Sequence, residues 1–447
     1  MAKKKVREVA LDILLQIEKN GAYSNLLLNS SIEKNNLDPK DVGLLTEIVY
    51  GTIQRKDTLE FFLAPFVKKR NKLAPWVMPL LRMSLYQIVY LDRIPERAAI
   101  HEAVEIAKKW GHKGVSGLVN GVLRSIQREG LPSLEEIPDA IERIAISTSH
   151  PKWLVEEWTK QYGLDVTKQM CEVNLLPPVP SARINTMMSS VNEMIEELTD
   201  AGMEVEKGDL AEDAIVFKSG NIAHTEAFKK GRLSIQDESS MLVARALGVE
   251  EGDRILDSCA APGGKTSHIA ELLKGSGQVV SLDLHPHKVK LIREQAKRLH
   301  LENVEAKALD ARKVREEFEE ESFDKILVDA PCSGFGVIRR KPDIKLGKEK
   351  KDIQNLSRIQ RAILEEIAPF VKKGGKLVYS TCTIEYDENK GVITSFLENH
   401  PEFEWDMTLK ERLPRPVQEL IEDGQVQILP HQFLTDGFYI ACLRKKV

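Results

Sequence analysis

The chain has 447 residues, of which 42% are hydrophobic and 30% are charged. This balance excludes disordered and membrane-embedded classes of protein, and at ~100–200 residues per domain the length leads us to expect three domains. The net charge is only −4, but residues 1–145 carry more basic than acidic side chains, which favours an anionic partner for this part of the chain.

The N-terminal segment MAKKKV is basic, but acidic residues recur soon after it, so the apolar core of a secretory signal is not expected. No stretch approaches the ~20 apolar residues of a membrane span. We therefore expect a cytoplasmic protein without a membrane partner. The five cysteines are scattered and form no C-x-x-C pair, so neither a metal site nor a disulfide framework is predicted.

Residues 1–145 are predicted to form an all-helical domain. Apolar residues recur at helical spacing from residue 6 to residue 17, and the pattern returns further along; the later segments are 41–67, 76–91, 97–110 and 115–128. Two basic clusters, KKRNK (68–72) and KKWGHKG (108–114), lie between helices or at their ends. Such positions suit phosphate contacts, although ordinary solubilising charge is the alternative.

Residues 146–235 are predicted to form a small α/β domain. A helical segment, SHPKWLVEEWTKQYG, precedes the proline-rich connector LLPPVPS (175–181). Beyond the connector, the short apolar runs ARIN and AIVF flank the helical segment SSVNEMIEELTDAG. This mixture of short strands and helices is typical of a small α/β unit.

Residues 236–447 are predicted to form a Rossmann-like domain. From residue 250 onwards, β-rich runs alternate with helical segments; the runs are RILDSCA, QVVSLDL, VEAKALDA, FDKILVDAP and GKLVYSTCT. This alternation predicts a doubly wound, mostly parallel sheet with right-handed crossovers. Ligands of such sheets bind beyond the carboxyl ends of the strands, so the residues that follow the strands are the candidate site.

A glycine-containing loop follows the first of these strands and leads into a helix, whose N-terminal N–H groups face the expected crevice. It is the segment CAAPGGK, which comprises Cys259, Ala260, Ala261, Pro262, Gly263, Gly264 and Lys265. A nucleoside triphosphate loop of the Walker A type requires glycine at position 259, where cysteine stands. The G-x-G-x-x-G pattern of dinucleotide sites is also missing.

Four aspartates at consecutive strand ends narrow the choice of ligand; they are Asp257, Asp283, Asp310 and Asp329. Asp283 is placed to accept hydrogen bonds from both hydroxyls of a ribose, and Asp310 is placed to meet an adenine amino group. An acidic edge repels a triphosphate but suits a nucleoside that carries a positive sulfonium, so the predicted cofactor is S-adenosylmethionine. Helix capping is the alternative, and it would account for one or two of the four.

Two cysteines follow the fourth and fifth strands, Cys332 in DAPCSG (329–334) and Cys382 in STCT (380–383). Methyltransferases that act on exocyclic amines carry an N/D-P-P-aromatic turn at the first of these positions, whereas the turn here is Asp-Ala-Pro-Cys, which favours carbon as the acceptor. The C5 carbon of a pyrimidine becomes nucleophilic only after a thiolate has added to C6. The residues alone leave open which thiol is the nucleophile.

CAAPGGKT, DAPCSG with the following GVIRRKPDI, STCT and the terminal TDGFYIACLRK resemble the RNA (cytosine-5)-methyltransferases, in particular the bacterial 16S ribosomal RNA branch known as RsmB, Sun or Fmu. The resemblance implies that Cys382 is the nucleophile at C6. It implies that Asp329 hydrogen-bonds the N3 side of cytosine, and that Cys332 assists loss of the C5 proton and product release. It also assigns the CAAPGGK loop, Asp283, Asp310 and Asp329 to S-adenosylmethionine.

The same resemblance implies a NusB-like, RNA-binding N-terminal domain and a middle domain like an RNA-recognition motif. The expected partner is 16S ribosomal RNA in an unassembled or early-assembly form, because the target base must leave its stack to enter the crevice. We expect the enzyme to be a monomer. Arg339, Arg340 and Lys341 are candidates for binding phosphates near the target base, with a solvated loop as the alternative.

Two other functions compete with this interpretation. A non-enzymatic RNA-binding or antitermination factor with an inactive methyltransferase-like domain would predict an eroded STCT or GGK segment, and both segments are intact. An ATP-dependent RNA enzyme would require the first Walker glycine and a D-E-A-D-type acidic pair, which the sequence lacks.

Overall fold

The structure, a computed structural model, describes residues 4–20, 24–68 and 70–447. The chain divides into two compact units, one formed by Met1–Leu176 with Ile338–Gly347 and the other by Pro177–Val337 with Lys348–Val447. The basic opening MAKKKV and the cluster KKRNK lie partly outside the described residues. The domain boundaries that we placed after residues 145 and 235 stay predictions.

The first unit is helical, and its described residues contain no strand. Its helices are α1 (Val6–Asn20), α2 (Ser24–Asn35), α3 (Pro39–Gln54), α4 (Lys56–Leu63), α5 (Val77–Tyr90), α6 (Glu96–Trp110), α7 (Lys113–Glu129), α8 (Ala140–Thr148), α9 (Lys152–Tyr162) and α10 (Leu164–Val173). Helix α5 is apolar on several faces and lies within the core, where Leu80, Leu81 and Leu85 are fully buried. The prediction of a helical N-terminal domain is confirmed.

The segment 338–347 belongs to this helical unit although it follows the DAPCSG turn in sequence. Its short 3-10 helix, Pro342–Leu346, buries Lys345, whose ammonium donates to the carbonyl oxygens of Gln54 (2.8 Å) and Thr148 (3.3 Å). Burial lowers the pKa of Lys345 to about 7. Arg339 is buried as well, so a solvated loop does not describe this residue.

The second unit begins with a small antiparallel sheet. Its elements are β1 (Ser181–Ile184), α11 (Val191–Asp200), β2 (Val205–Lys207), β3 (Ala214–Phe217), α12 (Glu226–Lys229) and β4 (Leu233–Ile235). The strand order is β2-β3-β1-β4. Ile184, Leu198 and Phe217 form the centre of its core. The predicted strands ARIN and AIVF are β1 and β3, and the α/β character of this region is confirmed.

A larger sheet forms the rest of the second unit. Its elements are α13 (Glu238–Leu247), β5 (Arg254–Asp257), α14 (Gly264–Leu272), β6 (Gln278–Asp283), α15 (Pro286–Arg298), β7 (Val304–Ala308), β8 (Phe323–Asp329), α16 (Lys350–Ile367), β9 (Val371–Thr381), α17 (Lys390–Asn399), β10 (Phe403–Trp405), α18 (Leu409–Arg412), α19 (Arg415–Gln418), β11 (Ile421–Glu422), β12 (Gln425–Ile428), α20 (Pro430–Phe433) and β13 (Phe438–Lys445). The strand order is β11-β12-β13-β9-β8-β5-β6-β7, and β10 pairs with β13.

The parallel part of this sheet was predicted and the antiparallel part was missed. Strands β5 to β9 pair in parallel, which confirms the Rossmann-like core. Strand β13 pairs antiparallel with β9, β12 and β10, and β12 pairs antiparallel with β11. The sheet is therefore mixed rather than mostly parallel. Residues 438–443 of β13 are all buried, and such a continuous apolar run lacks the alternation that reveals a strand in sequence.

Alternate side chains of the central strands fill the two faces of this sheet. Ile255, Leu327 and Val378 pack on one face, whereas their immediate neighbours Leu256, Ile326 and Leu377 pack on the other. Each fully buried side chain of this size contributes about 1.5–3 kcal/mol. Side chains alternate between the two faces of a strand, so burial of these faces fixes the register of each strand. The register in turn determines which residues lie at the carboxyl ends of the strands.

Candidate active site

The site is built at the carboxyl ends of five adjacent strands. In the order β9-β8-β5-β6-β7, these strands end at Thr381, Asp329, Asp257, Asp283 and Ala308. Neighbouring strands lie ~4.8 Å apart, so the ends of β8 to β7 span ~14 Å. This length suits an extended nucleoside with an amino acid side arm, and it places one end of such a ligand beside β9.

The loop between β5 and α14 requires glycine at one position. Gly263 has φ +105°, and a Cβ at this residue would lie 3.2 Å from Cα of Ile292 on α15. The loop is fixed to β6 by a hydrogen bond of 2.8 Å from the Ala260 N–H to the Leu282 carbonyl oxygen. The first N–H groups of α14 have no intrahelical partner, and no atom lies within 4 Å of the place that a Cβ would take at Gly264. Open space beside free backbone donors fits the carboxylate end of S-adenosylmethionine.

Asp257 differs from its predicted place on the crevice edge. Its side chain is fully buried, and Oδ2 accepts a hydrogen bond of 2.7 Å from Oγ1 of Thr266 on α14. Burial raises the pKa of Asp257 to about 7. Asp257 therefore joins β5 to α14 through a side-chain hydrogen bond, so it neither lines the crevice edge nor caps the helix.

Asp283 and Asp310 lie near the ends of β6 and β7 as predicted, and both also cap the turn that follows. Asp283 Oδ1 accepts from the His285 N–H at 3.0 Å. Asp310 accepts from the backbone and both guanidinium donors of Arg312, at 2.7 to 3.0 Å, and hydrogen bonding by Arg312 lowers the pKa of Asp310. An adenine amino group at Asp310 would therefore share the carboxylate with Arg312.

Asp329 is held at the end of β8 by two side chains. Its Oδ2 accepts from Lys265 Nζ of α14 at 2.8 Å, and its Oδ1 accepts from Ser380 Oγ of β9 at 2.8 Å. Burial is the largest single effect and opposes the charge on Lys265, but Asp329, with smaller contributions from Cys382 and Asp257, raises the pKa of Lys265 overall. The glycine loop thus places the charged ammonium of Lys265 beside the end of β9.

The two cysteines meet beside this ion pair. Asp329 of β8 is in register with Ser380 of β9, and the residues that follow them bring Cys332 Sγ within 3.4 Å of Cys382 Sγ. A hydrogen bond from the Cys332 thiol lowers the pKa of Cys382, and the Lys265 ammonium adds to this effect, whereas burial and Asp329 oppose it. The same contact raises the pKa of Cys332. The arrangement favours a thiolate at Cys382 and a thiol at Cys332.

For the other three cysteines, Cys259, Cys171 and Cys442, no neighbour among the described residues lowers the pKa below its usual value. Burial raises the pKa of Cys259 to about 12, so its sulfur packs beside the loop as a neutral thiol. Cys171 and Cys442 are fully buried, and burial raises the pKa of each to about 12. Buried thiols of this kind are structural.

Sequence reasoning missed a buried arginine that holds the glycine loop. Arg183 of β1 is fully buried and forms a bidentate ion pair with Glu271 of α14, with both N–O distances at 2.9 Å. It also donates to the Gly264 carbonyl oxygen at 3.1 Å and to Ser267 Oγ at 3.1 Å. The only sequence signal was a single charged residue inside the apolar run ARIN.

Sequence reasoning also missed Glu388 and Asn389, which follow STCT at a short distance. Both side chains are buried, and both form hydrogen bonds with the loops that carry the two cysteines. The signal for them was an acidic residue and an amide, in YDENK, six and seven residues after the candidate nucleophile Cys382.

Family models match three consecutive parts of the chain. Residues 244–444 match the model "16S rRNA methyltransferase RsmB/F", residues 4–128 match the NusB family, and residues 150–223 match an RsmF/B-like ferredoxin-like domain. These matches confirm the predicted architecture of a NusB-like helical domain, a small α/β domain and a methyltransferase domain.

Curated relatives match over nearly the whole length. A Bacillus subtilis (strain 168) protein described as probable ribosomal RNA small subunit methyltransferase B is 57% identical over 446 residues, with 100% of each chain covered. The ribosomal RNA small subunit methyltransferase B of Pseudomonas putida is 35% identical, with 94% of each chain covered.

Solved structures with the same fold include the crystal structure of PH0851, with a TM-score of 0.82, 27% identity and 99% coverage of each chain. A methyltransferase homolog from Pyrococcus horikoshii is 27% identical with a TM-score of 0.59, and the match covers 69% of this chain and 99% of that one.

Proposed function

Because the chain belongs to the 16S rRNA methyltransferase RsmB/F family, we propose that it methylates carbon 5 of a cytosine in 16S ribosomal RNA through a transient bond from Cys382 to carbon 6. Methylation of small-subunit ribosomal RNA with S-adenosylmethionine as methyl donor is the activity of the family. The observation that carries the finer proposal is the pair of thiols 3.4 Å apart at the ends of adjacent strands.

The charges around the thiols support Cys382 as the nucleophile. Its sulfur accepts the hydrogen bond from Cys332 and lies in the field of Lys265, so its pKa is lowered, whereas the pKa of Cys332 is raised. The thiolate is the reactive form of cysteine. The structure thereby supplies a physical reason for an assignment that the sequence left open.

The proposed reaction uses both sulfurs in turn. The Cys382 thiolate forms a bond to C6, and the electron pair of the C5–C6 double bond makes C5 nucleophilic. S-adenosylmethionine supplies the electrophilic methyl group that C5 accepts. The C5 proton then leaves to water, a step that Cys332 assists, and the electrons of the broken C–H bond restore the C5–C6 double bond and expel the Cys382 sulfur as a thiolate.

Asp329 is proposed to hydrogen-bond the N3 side of the cytosine. Its carboxylate is fixed by Lys265 and Ser380 and is 26% exposed, which supports a contact with a base that enters beside β9. The cofactor is proposed to contact Cys259, Ala260, Ala261, Pro262, Gly263, Gly264 and Lys265, together with Asp283, Asp310 and Asp329. Open space at Gly264 and the donors at the start of α14 support this set.

The proposed substrate is 16S ribosomal RNA in an unassembled or early-assembly form, with the target cytosine unstacked. The two sulfurs are partly buried beyond the ends of neighbouring strands, where a base reaches them after leaving its helix, which supports a single-stranded or loop target. We propose that the protein acts as a monomer in the cytoplasm. Among the described residues, no helix has the length and hydropathy needed to cross a bilayer.

Tritium release tests the position of the methyl group. With 16S ribosomal RNA labelled at carbon 5 of cytidine, the expected result is one tritium released into water for each methyl group incorporated, because the C5–H bond must break. Cys382→Ala protein is the control and should release none. Methyl transfer with full retention of tritium would place the methyl group on nitrogen or ribose, and binding of RNA without any transfer would identify the inactive RNA-binding factor instead.

A further inference from the structure

Glu388 and Asn389 have no part in the chemistry described above, yet they are among the most deeply buried polar residues of the second unit, with exposures of 0% and 2%. Glu388 ends the short 3-10 helix Tyr386–Glu388, and Asn389 immediately precedes α17. Burying a carboxylate and an amide is costly unless their hydrogen bonds are made within the protein. Their partners are the two loops that carry the reactive sulfurs.

Glu388 fixes the loop of Cys332 from both sides. Its Oε2 accepts from the Ser333 N–H at 2.8 Å and from Gln360 Nε2 at 2.9 Å. The same Gln360 nitrogen donates to the Pro331 carbonyl oxygen at 2.9 Å. The residues before and after Cys332 are therefore held through a single carboxylate oxygen and its amide partner.

Asn389 fixes the loop of Cys382 in the same manner. Its Oδ1 accepts from Thr381 Oγ1 at 2.5 Å, and its Nδ2 donates to the Thr383 carbonyl oxygen at 3.0 Å. Gln427 Oε1 accepts a further hydrogen bond from Nδ2 at 2.8 Å. The residues before and after Cys382 are thus held by one amide side chain.

We propose that Glu388 and Asn389 are positioning residues that divide the reaction between them, Asn389 for bond formation by Cys382 and Glu388 for release by Cys332. The inference rests on the proposed function. The two loops are joined directly by the 2.7 Å contact between Ser333 Oγ and Thr383 Oγ1, but their backbones are held by different side chains. Loss of one side chain therefore loosens one sulfur more than the other.

The expected results differ in kind. Glu388→Ala should slow release by Cys332 more than addition by Cys382, so a covalent protein–RNA adduct accumulates on denaturing gels during turnover, as it should in Cys332→Ala. Asn389→Ala should lose methyl transfer without forming an adduct. Misplacement of a reacting group by ~1 Å costs about 100-fold in rate, and we expect kcat to fall on this scale with little change in KM for S-adenosylmethionine.

The conservative variant Glu388→Gln keeps an oxygen that accepts from the Ser333 N–H, and it should turn over without an adduct. Glu238→Ala is the matched control, because Glu238 is also a buried carboxylate that accepts backbone N–H groups, those of Leu210 (2.7 Å) and Ala211 (3.0 Å), outside the cysteine loops. It should lower the melting temperature without forming an adduct. A merely structural role would make Glu388→Ala behave in the same way.

An adduct-free Glu388→Ala protein, or an adduct in Asn389→Ala or Glu238→Ala, would overturn the inference. If Glu388→Ala does not fold, Glu388→Asp, which withdraws the carboxylate by one methylene group, is subject to the same test. Cys332→Ala is run in parallel. Absence of an adduct in that variant would instead contradict the proposed function, so the two failures are distinguishable.

Discussion

Among single residues, the proposed chemistry depends on the unequal ionisation of two neighbouring sulfurs, those of Cys382 and Cys332. Cys332 stabilises the Cys382 thiolate by a hydrogen bond, and Lys265 stabilises it by charge. The position of Lys265 is in turn fixed by Asp329. A residue of the proposed cofactor loop thereby acts on the proposed nucleophile, and the Lys265–Asp329 ion pair links the two parts of the site.

This linkage predicts the pH dependence of thiol alkylation. Because Cys332 and Lys265 both lower the pKa of Cys382, replacing either, as in Cys332→Ala or Lys265→Met, should raise that pKa and move the alkylation profile of Cys382 to higher pH. The thiolate fraction at neutral pH then falls, and alkylation slows. Peptide mass spectrometry after iodoacetamide treatment follows Cys382 separately from the other thiols. Profiles that do not move would show that neither group stabilises the thiolate.

At the scale of elements, the small antiparallel sheet and the cofactor helix are joined by a buried ion pair. Arg183 of β1 holds α14 through Glu271 and reaches the carbonyl of Gly264, the first residue of that helix. The middle part of the sequence therefore supports the geometry of the glycine loop in addition to any contact it makes with RNA. Such support matters because we propose that the loop binds the cofactor through its backbone N–H groups.

Arg183→Met should both destabilise the protein and weaken binding of S-adenosylmethionine. Removing one partner of a buried pair leaves the Glu271 charge uncompensated, which costs about 3–5 kcal/mol. Isothermal titration with S-adenosylmethionine and thermal melting measure the two effects. Arg232→Met is the control, since Arg232 pairs with Glu197 near the surface of the same sheet, where such a pair contributes ~0–1 kcal/mol. If Arg183→Met and Arg232→Met bind the cofactor with equal affinity, Arg183 does not stabilise the glycine loop.

The strands and helices that could be predicted are those whose own residues show a periodic pattern or a motif. Strands β5 to β9 alternate with helical segments, and the candidate residues lie at their carboxyl ends or in the loops that follow, so the place of the site follows from chain topology. The role of Arg183 could not be predicted, because its partner Glu271 lies 88 residues away and either residue alone resembles a surface charge. The burial of Asp257 against Thr266 was not predicted either, because nothing in the sequence distinguishes this aspartate from those at the other strand ends.

For the molecule as a whole, the domain architecture could be predicted from the sequence because each domain carries family motifs or its own hydrophobic periodicity. The assignment of residues 338–347 to the helical unit was not, since these residues follow the catalytic turn directly in sequence. Lys345 shows why: a lysine in a basic, proline-containing stretch reads as a solvated loop, but its ammonium is buried against the carbonyls of Gln54 and Thr148. Long-range packing of this kind has no periodic signature.

The most direct test of the central claim is to identify the residue that bonds to the RNA. Cys332→Ala protein is incubated with 16S ribosomal RNA and S-adenosylmethionine, denatured, digested with nuclease and protease, and examined by mass spectrometry. The account predicts a methylated cytidine attached to the peptide that contains Cys382, and no such peptide when Cys382 is also replaced by alanine. Attachment through another residue, or methyl transfer by protein that lacks Cys382, would contradict it.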